Sequence, residues 1–288
     1  MNYSDKQLRE SYSYCKKLTI RSDSNFALSF RFLPKPKQNA IYAVYAFNRC
    51  ADDFADEIEN VDHSLNKLQK WEYMLNECYN GNASHPVMIA FADAINKYNI
   101  PKQPFQDAID GFKTDLTVKR YETFEDLARY CDLVAGTIST ISLHIFGFKD
   151  KIAFKYGKYL SYALQLTNII RDVGVDIDKD RIYLPKEDLE KYEYSETELF
   201  LKEENRQFLE LMSFQIKRAE DYFTKANPLI GFIEKDSQFT VTIIGAVYSR
   251  LLKKIRESGI PVLDKVVQLT KTEKLLTILN MKKDPKFI

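Results

Sequence analysis

Helical spacing of apolar residues runs through most of the chain and limits the folds open to it. Apolar residues recur three and four positions apart, as in Val44, Phe47 and Ala51, and no segment sustains the two-residue alternation of a half-buried strand. Helix breakers are few, with nine glycines and nine prolines in 288 residues. The pattern predicts an all-α protein, a single domain over residues 1–288 built as one bundle of roughly ten helices.

The expected breaks between helices fall where glycine, proline and asparagine cluster. They are residues 33–38, expected as a loop that leads into a helix, 79–86 and 99–104, with further breaks near Gly147, from Tyr183 and from Glu257.

The charge balance and the cysteines exclude several classes of protein. The net charge is +1, so no bulk positive field indicates nucleic acid. The amino-terminal stretch lacks the apolar core of a signal peptide, and no apolar run is long enough to span a bilayer. The four cysteines, Cys15, Cys50, Cys78 and Cys131, do not have the spacing of a zinc site. These features predict a cytoplasmic protein with reduced cysteines.

Three aspartates crowd the stretch RCADDFADE, which follows an apolar run that reads as buried. Asp52 and Asp56 would project from one face of a helix, with Asp53 beside them and Arg49 one turn earlier. Like charges four residues apart on a helix repel each other by a few tenths of a kcal/mol in water. The stretch is therefore either a solvated acidic turn or a metal site, and one such motif does not decide between them.

A second stretch, LQLTNIIRDVGVDIDKDRIYLP, repeats the four-residue spacing of acids. Asp172 and Asp176 continue a polar stripe that begins at Gln165 and Asn168, and the opposite positions of that helix are apolar. Solvated helices elsewhere in the chain interleave lysine and glutamate instead. Two acidic motifs, each within an otherwise apolar helix, favour a metal site over a solvated face.

The arginines beside the acids extend this prediction to a diphosphate. If the two motifs face each other, they enclose several carboxylate oxygens, which are the ligands that Mg²⁺ prefers. Arg49, Arg171 and Arg181 lie next to the acids and can grip phosphate oxygens through bidentate contacts. The sequence thus predicts a Mg²⁺ site, with Mn²⁺ as an alternative ion, that offsets the repulsion among the carboxylates.

Both motifs and several further stretches resemble the squalene/phytoene synthase family, the head-to-head prenyl synthases. The matching stretches are NFALSFRFLP, IYAVYAFNRCADDFADE, DGFKTDL, RYETFEDLARYCDLVAGT, ALQLTNIIRDVGVDIDKDRIYLP and AVYSRLLKKI. The resemblance runs from about Tyr12 to about Leu276. It implies the all-α isoprenoid synthase fold with a central prenyl-binding cavity.

The resemblance also implies roles for individual residues. The metal ligands would be Asp52, Asp53, Asp56, Asp172 and Asp176. The catalytic residues near the reacting centre would be Tyr130, Asp115, Arg171 and Tyr248. Neighbours of the diphosphates and metals would be Arg49, Arg171, Arg181, Gln165 and Asn168, and the prenyl channel would be lined by Phe26, Val134, Ala135, Leu160 and Leu164.

Two departures from the family pattern bear on the shape of that channel. Ser139 stands where relatives often carry glycine, and Asp132 replaces the second tyrosine of a YCY stretch. A serine one turn beyond Ala135 would narrow the channel, so the sequence predicts a preference for C15 over C20 substrates.

The activity that the resemblance implies is condensation of two prenyl diphosphates, here two farnesyl diphosphates. The reaction would pass through a cyclopropylcarbinyl diphosphate and give presqualene diphosphate or a squalene-type C30 product, and use of NADPH stays open. An alternative is a phytoene synthase acting on two geranylgeranyl diphosphates. A second alternative is a non-catalytic helical relative that binds lipid or a partner protein. Cyclising terpene synthases and head-to-tail prenyltransferases carry differently spaced acids.

The expected partners are the prenyl diphosphates, and nucleic acid is not among them. The apolar substrate and product predict transient peripheral contact with the inner face of the membrane through an exposed apolar rim. The sequence does not indicate an oligomeric state.

Overall fold

Helices account for nearly all the regular structure of this chain. The computed structural model describes residues 3–21, 25–55, 61–281 and 287. The α-helices in these residues are α1 (Asp5–Arg21), α2 (Asn25–Ser29), α3 (Lys35–Ala55), α4 (Val61–Tyr79), α5 (Pro86–Tyr98), α6 (Gln103–Thr117), α7 (Phe124–Cys131), α8 (Thr137–Phe146), α9 (Ile152–Asp178), α10 (Lys186–Lys191), α11 (Glu196–Phe200), α12 (Arg206–Ala226), α13 (Leu229–Phe232), α14 (Lys235–Glu257) and α15 (Lys271–Asn280). A 3₁₀ helix covers Phe30–Phe32, and a π-helical turn covers Asp132–Gly136.

The predicted all-α class is confirmed. Within the described residues there is no strand, and β-type pairing is limited to an isolated bridge between Phe148 and Ile233. The helices are more numerous than the roughly ten expected from chain length over typical helix size, because short helices such as α10, α11 and α13 stand between the long ones.

The chain divides into two compact units. Unit 1 comprises Met1–Thr117, Thr137–Ala153 and Phe232–Val241, and unit 2 comprises Val118–Gly136, Phe154–Gly231 and Thr242–Ile288. The first acidic motif lies in unit 1 and the second in unit 2. The single domain over residues 1–288 stays a prediction, and so does the expectation that the two motifs face each other.

Most of the predicted breaks separate helices. Residues 79–86 contain the end of α4 and the start of α5, and residues 99–104 contain the end of α5 and the start of α6. The prediction of a loop over residues 33–38 is wrong from Lys35 onward, where α3 begins. Pro36 is compatible with a helix there, because N–H groups in the first turn have no partner within the helix.

Unit 1 is built around the apolar face of α3. This helix packs against α1, α4, α5, α6 and α8. Phe47, predicted as a core residue, is fully buried, and its ring centroid lies 4.9 Å from that of Phe91 and 5.4 Å from that of Trp71. The indole Nε1 of Trp71 donates a hydrogen bond to the backbone oxygen of Phe47 at 3.2 Å. This aromatic core fixes the carboxyl-terminal half of α3, which carries the first acidic motif.

A buried lysine fixes the other end of α3. Lys37 Nζ donates to the backbone oxygen of Phe146 at 2.8 Å and pairs with Glu234 and Asp236 at 2.7 Å each. Burial raises the pKa of Asp236, but hydrogen bonds from Lys37 and Ser237 outweigh that effect, so the pKa of this carboxyl is lowered overall. The charge of Lys37 is therefore fully compensated inside unit 1.

Unit 2 contains a second buried ion pair. Arg218 on α12 reaches Asp188 on α10 through Nη1 at 2.5 Å and Nη2 at 3.1 Å, and Gln215 Nε2 donates to the same carboxylate at 2.9 Å. The side chains of Arg218 and Asp188 are only 15% and 4% exposed. The guanidinium also lies 4.1 Å from the ring centroid of Phe124. Each charge thus depends on the other for its compensation.

In the described part of the chain, no helix combines the length and the apolarity needed to cross a bilayer.

Candidate active site

The first acidic motif occupies the last turns of α3, where an arginine pairs with two of its acids. Arg49 Nη1 lies 3.0 Å from Asp52 Oδ2, and Nη2 lies 2.5 Å from Asp53 Oδ1. These pairs follow from i,i+3 and i,i+4 spacing on one helix. Both carboxylates are partly exposed. Asp56, the third acid of the predicted motif, lies outside the described residues.

The pKa of Arg49 reflects this pairing. Partial burial lowers its pKa, but the charges of Asp52 and Asp53 and a hydrogen bond to Asp53 outweigh burial, so the pKa is raised overall. The guanidinium therefore stays cationic. The sequence attributed the compensation of these acids to metal ions; the structure adds an arginine as a compensating charge within the motif itself.

The second acidic motif lies on α9 and has the same kind of partner. Arg171 Nε lies 2.8 Å from Asp172 Oδ1, and Nη2 lies 2.5 Å from Asp172 Oδ2, which makes a bidentate pair. The two side chains are 22% and 25% exposed. Burial lowers the pKa of Arg171, but the bond to Asp172 and the charges of Asp172, Tyr248 and Asp176 raise it by more. Three predicted site residues, Asp172, Asp176 and Tyr248, therefore lie within electrostatic reach of Arg171 in unit 2.

Asn168 supplies an oxygen of the kind that binds a hard cation. It lies one turn before Asp172 on α9, and its Oδ1 is buried without a hydrogen-bond partner among the described residues. An unsatisfied buried oxygen costs about 1–3 kcal/mol, which a bound cation would recover. The amide oxygen and the carboxylates of Asp172 and Asp176 form an oxygen-only set that fits Mg²⁺. Gln165 lies one turn earlier on the same stripe and is half-buried.

These residues do not complete a coordination shell by themselves. Within the described ranges, no three side chains of histidine, cysteine, aspartate or glutamate converge closely enough to hold a metal ion. Mg²⁺ in proteins is commonly held by one or two carboxylates, with substrate phosphates and water filling the other positions. The donor set on α9 matches that mode of binding.

Gly174, which lies between the two acids of α9, leaves room for another segment of the chain to pack against this helix. Gly174 N–H donates to the backbone oxygen of Val262 at 3.0 Å. A Cβ atom on Gly174 would lie 2.8 Å from that oxygen and 2.8 Å from the backbone carbon of Leu263, so no side chain fits there. The segment that follows α14 is therefore seated on α9 between Asp172 and Asp176, a contact that the sequence did not predict.

A polar clamp holds the turn that follows the second motif. Asp180 adopts a left-handed conformation with φ of 56°. Arg120 Nη1 donates to the backbone oxygen of Asp180 at 2.8 Å, and its Nη2 lies 2.9 Å from Asp180 Oδ1. Lys119 Nζ lies 2.9 Å from the other carboxylate oxygen. Arg181 follows this turn directly, and its backbone N–H donates a hydrogen bond to the backbone oxygen of Asp176 at 2.8 Å.

A crevice beside Asp176 and Arg181 is too small for a prenyl chain. Its volume of about 10 Å³ holds one water molecule. The central prenyl-binding cavity stays a prediction.

Tyr130 lies in a cluster of tyrosine rings in unit 2. Its ring centroid is 5.5 Å from that of Tyr121 and 5.3 Å from that of Tyr183, two residues beyond Arg181. Tyr130 and Tyr248 are buried in unit 2. Asp115, on α6 in unit 1, is half-buried. The catalytic roles of these residues stay predictions.

The residues predicted to line the prenyl channel are divided between the units. In unit 1, Phe26 lies on α2 with its ring centroid 6.4 Å from that of Phe30, and Ser139 lies half-buried on α8. In unit 2, Val134 and Ala135 lie in the π-helical turn, and Leu160 and Leu164 lie on α9. Their contact with a prenyl chain stays a prediction.

Asp132 has partners that explain an acid at this position. It opens the π-helical turn, and its Oδ1 accepts a hydrogen bond from Tyr162 Oη at 2.8 Å and lies 2.8 Å from Lys158 Nζ. Burial and the bond to Asp132 raise the pKa of Tyr162, which keeps the phenol protonated as a donor. The acid thus stabilises the turn that carries Val134 and Ala135.

The comparisons with known proteins agree on one family. The family model for squalene/phytoene synthase matches residues 20–273. The chain is 32% identical over 283 residues to a 15-cis-phytoene synthase of Synechococcus elongatus, covering 94% of this chain and 92% of that protein. It is 32% identical over 283 residues to a phytoene synthase of Arthrospira platensis, covering 93% and 91%.

Solved structures similar to this chain include a dehydrosqualene synthase and a squalene synthase. A dehydrosqualene synthase in complex with ligand superposes with a TM-score of 0.89 at 29% identity, covering 96% of this chain and 97% of that one. Squalene synthase HpnC from Alicyclobacillus acidocaldarius superposes with a TM-score of 0.81 at 27% identity, covering 88% and 95%.

The fold and the arginine-paired acidic motifs define an enzyme of the all-α isoprenoid synthase class. Within that class, the chain belongs to the squalene/phytoene synthase family, whose members are prenyltransferases that join prenyl diphosphates head to head.

Proposed function

We propose that the enzyme condenses two geranylgeranyl diphosphates head to head to a phytoene-type C40 product. The observation that carries this proposal is the 32% identity, over nearly the full length of both chains, to relatives named phytoene synthases. It favours the C20 substrate over the C15 substrate that the sequence alone suggested.

Residues of both motifs would contribute to binding of the diphosphates. Arg171 and Arg181 in unit 2, and Arg49 in unit 1, would bind phosphate oxygens, because guanidinium groups match them in bidentate geometry. Arg171 pairs with Asp172, and the oxygens of Asp172 and Asp176 would attract a divalent cation. Tyr248, buried beside Arg171, would help to orient that arginine.

Mg²⁺, held by Asn168, Asp172 and Asp176 in unit 2 and by Asp52, Asp53 and Asp56 in unit 1, would stabilise the leaving diphosphate. Mn²⁺ has the same preference for oxygen ligands. The chain's own part is to place the diphosphate, to keep its arginines charged and to exclude water from the reacting carbons.

Product analysis tests this proposal. The purified enzyme is incubated with geranylgeranyl or farnesyl diphosphate and Mg²⁺, with and without NADPH, and the lipid extract is identified by mass. We expect a C40 hydrocarbon from geranylgeranyl diphosphate without NADPH. Asp176→Asn should strongly lower its formation, whereas Asp178→Asn is the matched control, since the Asp178 side chain is 63% exposed and pairs with Lys202.

A C15 substrate is the second candidate, favoured by the structural match to a dehydrosqualene synthase at 29% identity. Faster turnover of farnesyl diphosphate, with a C30 product, would replace the C20 proposal with this one. Dependence of that product on NADPH would indicate a squalene-type reduction. Absence of diphosphate release from either substrate would contradict both candidates.

A further inference from the structure

A buried tyrosine on α9 is hydrogen-bonded to the π-helical turn of unit 2. Tyr162 is 5% exposed, and its Oη lies 2.8 Å from Asp132 Oδ1 and 3.1 Å from the backbone oxygen of Ala128. Lys158, one turn earlier on α9, places its Nζ 2.8 Å from Asp132 Oδ1. The first residue of the π-helical turn is therefore joined to α9 by a hydroxyl group and by an ammonium group.

The hydroxyl of Tyr162 is the stronger of these two partners. The side chains of Lys158 and Asp132 are 48% and 40% exposed, and an ion pair this exposed adds little because water and salt screen it. The bond from the buried hydroxyl to the carboxylate is charge-assisted, and the tyrosine that donates it is shielded from water. The position of the turn thus depends mainly on Tyr162.

The other side of the turn carries apolar residues that remain accessible. Val134 and Ala135 are half-exposed, although Tyr130 and Cys131, which precede the turn, are buried. Residues two positions apart in a helical turn point to roughly opposite sides, so Val134 lies on the side away from Asp132. The hydrogen bond from α9 therefore holds the turn from the side opposite to its accessible apolar surface.

We propose that Asp132 and Tyr162 are positioning residues that fix an apolar wall, formed by Val134 and Ala135, and so limit the length of the prenyl chain that the enzyme accepts. The inference rests on the proposed function, because the chains of prenyl diphosphates are the ligands that would contact this wall. A π-helical turn is a local departure from the α-helix, and such turns are frequent at functional sites. Without the bond from Tyr162, the turn would be free to shift, and its apolar residues would yield to a longer chain.

The size of the effect follows from the loss of a single hydrogen bond. A bond of this kind corresponds to a change of about 2- to 10-fold in an equilibrium constant. Discrimination against a chain one isoprene unit too long should therefore weaken by about that factor. The dependence on Mg²⁺ should not change, because Asp172 lies about 15 Å farther along the axis of α9 than Tyr162.

The test compares the wild type with Tyr162→Phe, which removes the hydroxyl and keeps the ring. Dissociation constants are measured for non-ionising thiolodiphosphate analogues of farnesyl, geranylgeranyl and geranylfarnesyl diphosphate, together with kcat and KM for the three substrates. We expect the variant to discriminate about 2- to 10-fold less against the homologue next longer than the preferred one, in both measurements.

The matched control is Tyr159→Phe on the same helix. The ring of Tyr159 lies 6.1 Å from that of Tyr222, and its hydroxyl forms no hydrogen bond with a described residue. Its removal should leave the chain-length preference unchanged. The Mg²⁺ concentration for half-maximal rate should be the same in the wild type, Tyr162→Phe and this control.

Variants of Asp132 measure the same bond from its more exposed end. Asp132→Ala removes the acceptor and should match Tyr162→Phe, so it serves as the test if the tyrosine variant does not fold. Asp132→Asn keeps an acceptor oxygen and should retain most of the discrimination. The combination of Asp132→Ala with Tyr162→Phe should add no further change, because both substitutions act through one bond.

Thermal unfolding accompanies each variant, so that a loss of folding is detected. Equal discrimination by Tyr162→Phe and Tyr159→Phe would overturn the proposal. So would a lowered melting temperature of Tyr162→Phe with an unchanged chain-length preference, since that outcome makes the bond structural only. A preference of the wild type for the C15 substrate, or binding of the analogues without turnover of any substrate, would contradict the proposed function, whereas the comparison of analogue binding would still test the wall.

Discussion

Replacing Gly174 by alanine tests whether the contact seated on α9 organises the second acidic motif. The added Cβ would lie 2.8 Å from Val262 O and 2.8 Å from Leu263 C, and closer still to the backbone oxygen of Leu263. These are backbone atoms, so the clash is relieved only if the segment after α14 moves away from the helix. That movement would also weaken the bond from Gly174 N–H to Val262 O, which is 3.0 Å long.

The expected cost follows from two opposing effects. Overpacking against a rigid neighbour costs about 1–3 kcal/mol, and the weakened hydrogen bond adds about 1 kcal/mol. Alanine is favoured over glycine inside a helix by about 1 kcal/mol. We therefore expect Gly174→Ala to lower the free energy of unfolding by about 1–3 kcal/mol.

The matched control is Gly231→Ala in α13. A Cβ atom there meets no atom within 4 Å, so the control contains the change in backbone propensity without the clash. The measurement is urea unfolding of both variants, followed by turnover and its dependence on Mg²⁺ concentration at a temperature where both are folded. Because Gly174 lies between Asp172 and Asp176, its variant should need more Mg²⁺ for half-maximal rate than the control does.

Equal stability of Gly174→Ala and Gly231→Ala would show that the segment at Val262 moves without cost, and the reasoning would fail. A stability loss with an unchanged Mg²⁺ dependence would show that the contact supports the fold but does not position the acids.

Three further predictions concern the ligands, the core and the channel. Asp176→Asn should lower turnover about a hundredfold or more with little loss of stability, as measured by initial rates at saturating Mg²⁺; near-normal rates would remove this acid from the metal site. Arg218→Met should lower the free energy of unfolding by about 3–5 kcal/mol, because it leaves Asp188 buried without its partner; a loss below about 1 kcal/mol in urea unfolding would contradict this. Ser139→Gly should raise kcat/KM for geranylgeranyl relative to farnesyl diphosphate, by up to about tenfold; an unchanged ratio would place Ser139 away from the channel.

The parts of the site that the sequence predicts are those fixed by a single helix. The stripe from Asn168 to Asp176 lies on α9 as expected, because the helical period alone determines which side chains share a face. The same argument places Arg49 beside Asp52 and Asp53 on α3. The helical period does not determine whether an arginine side chain points toward the neighbouring acid or away from it. The ion pairs of Arg49 and Arg171 were therefore not predicted.

The unpredicted parts join positions far apart in the chain. The contact of Gly174 with Val262 and the clamp of Arg120 on Asp180 depend on how separate elements pack, which no local pattern encodes. The π-helical turn at Asp132–Gly136 is also invisible to a search for helical spacing, because the flanking residues continue the helix on both sides.

The pairing of arginine with the acidic motifs also answers how each helix tolerates its carboxylates. In each described motif a guanidinium binds a carboxylate directly, Arg49 with Asp52 and Asp53, and Arg171 with Asp172. The pKa of both arginines is raised on balance, so neither loses its charge to burial. Each of these pairs offsets part of the repulsion among the acids of its motif. If a divalent ion bound such a carboxylate, the released guanidinium would suit a diphosphate, because both anions match the same planar set of donors. These ion pairs are therefore compatible with the proposed binding of metal and diphosphate.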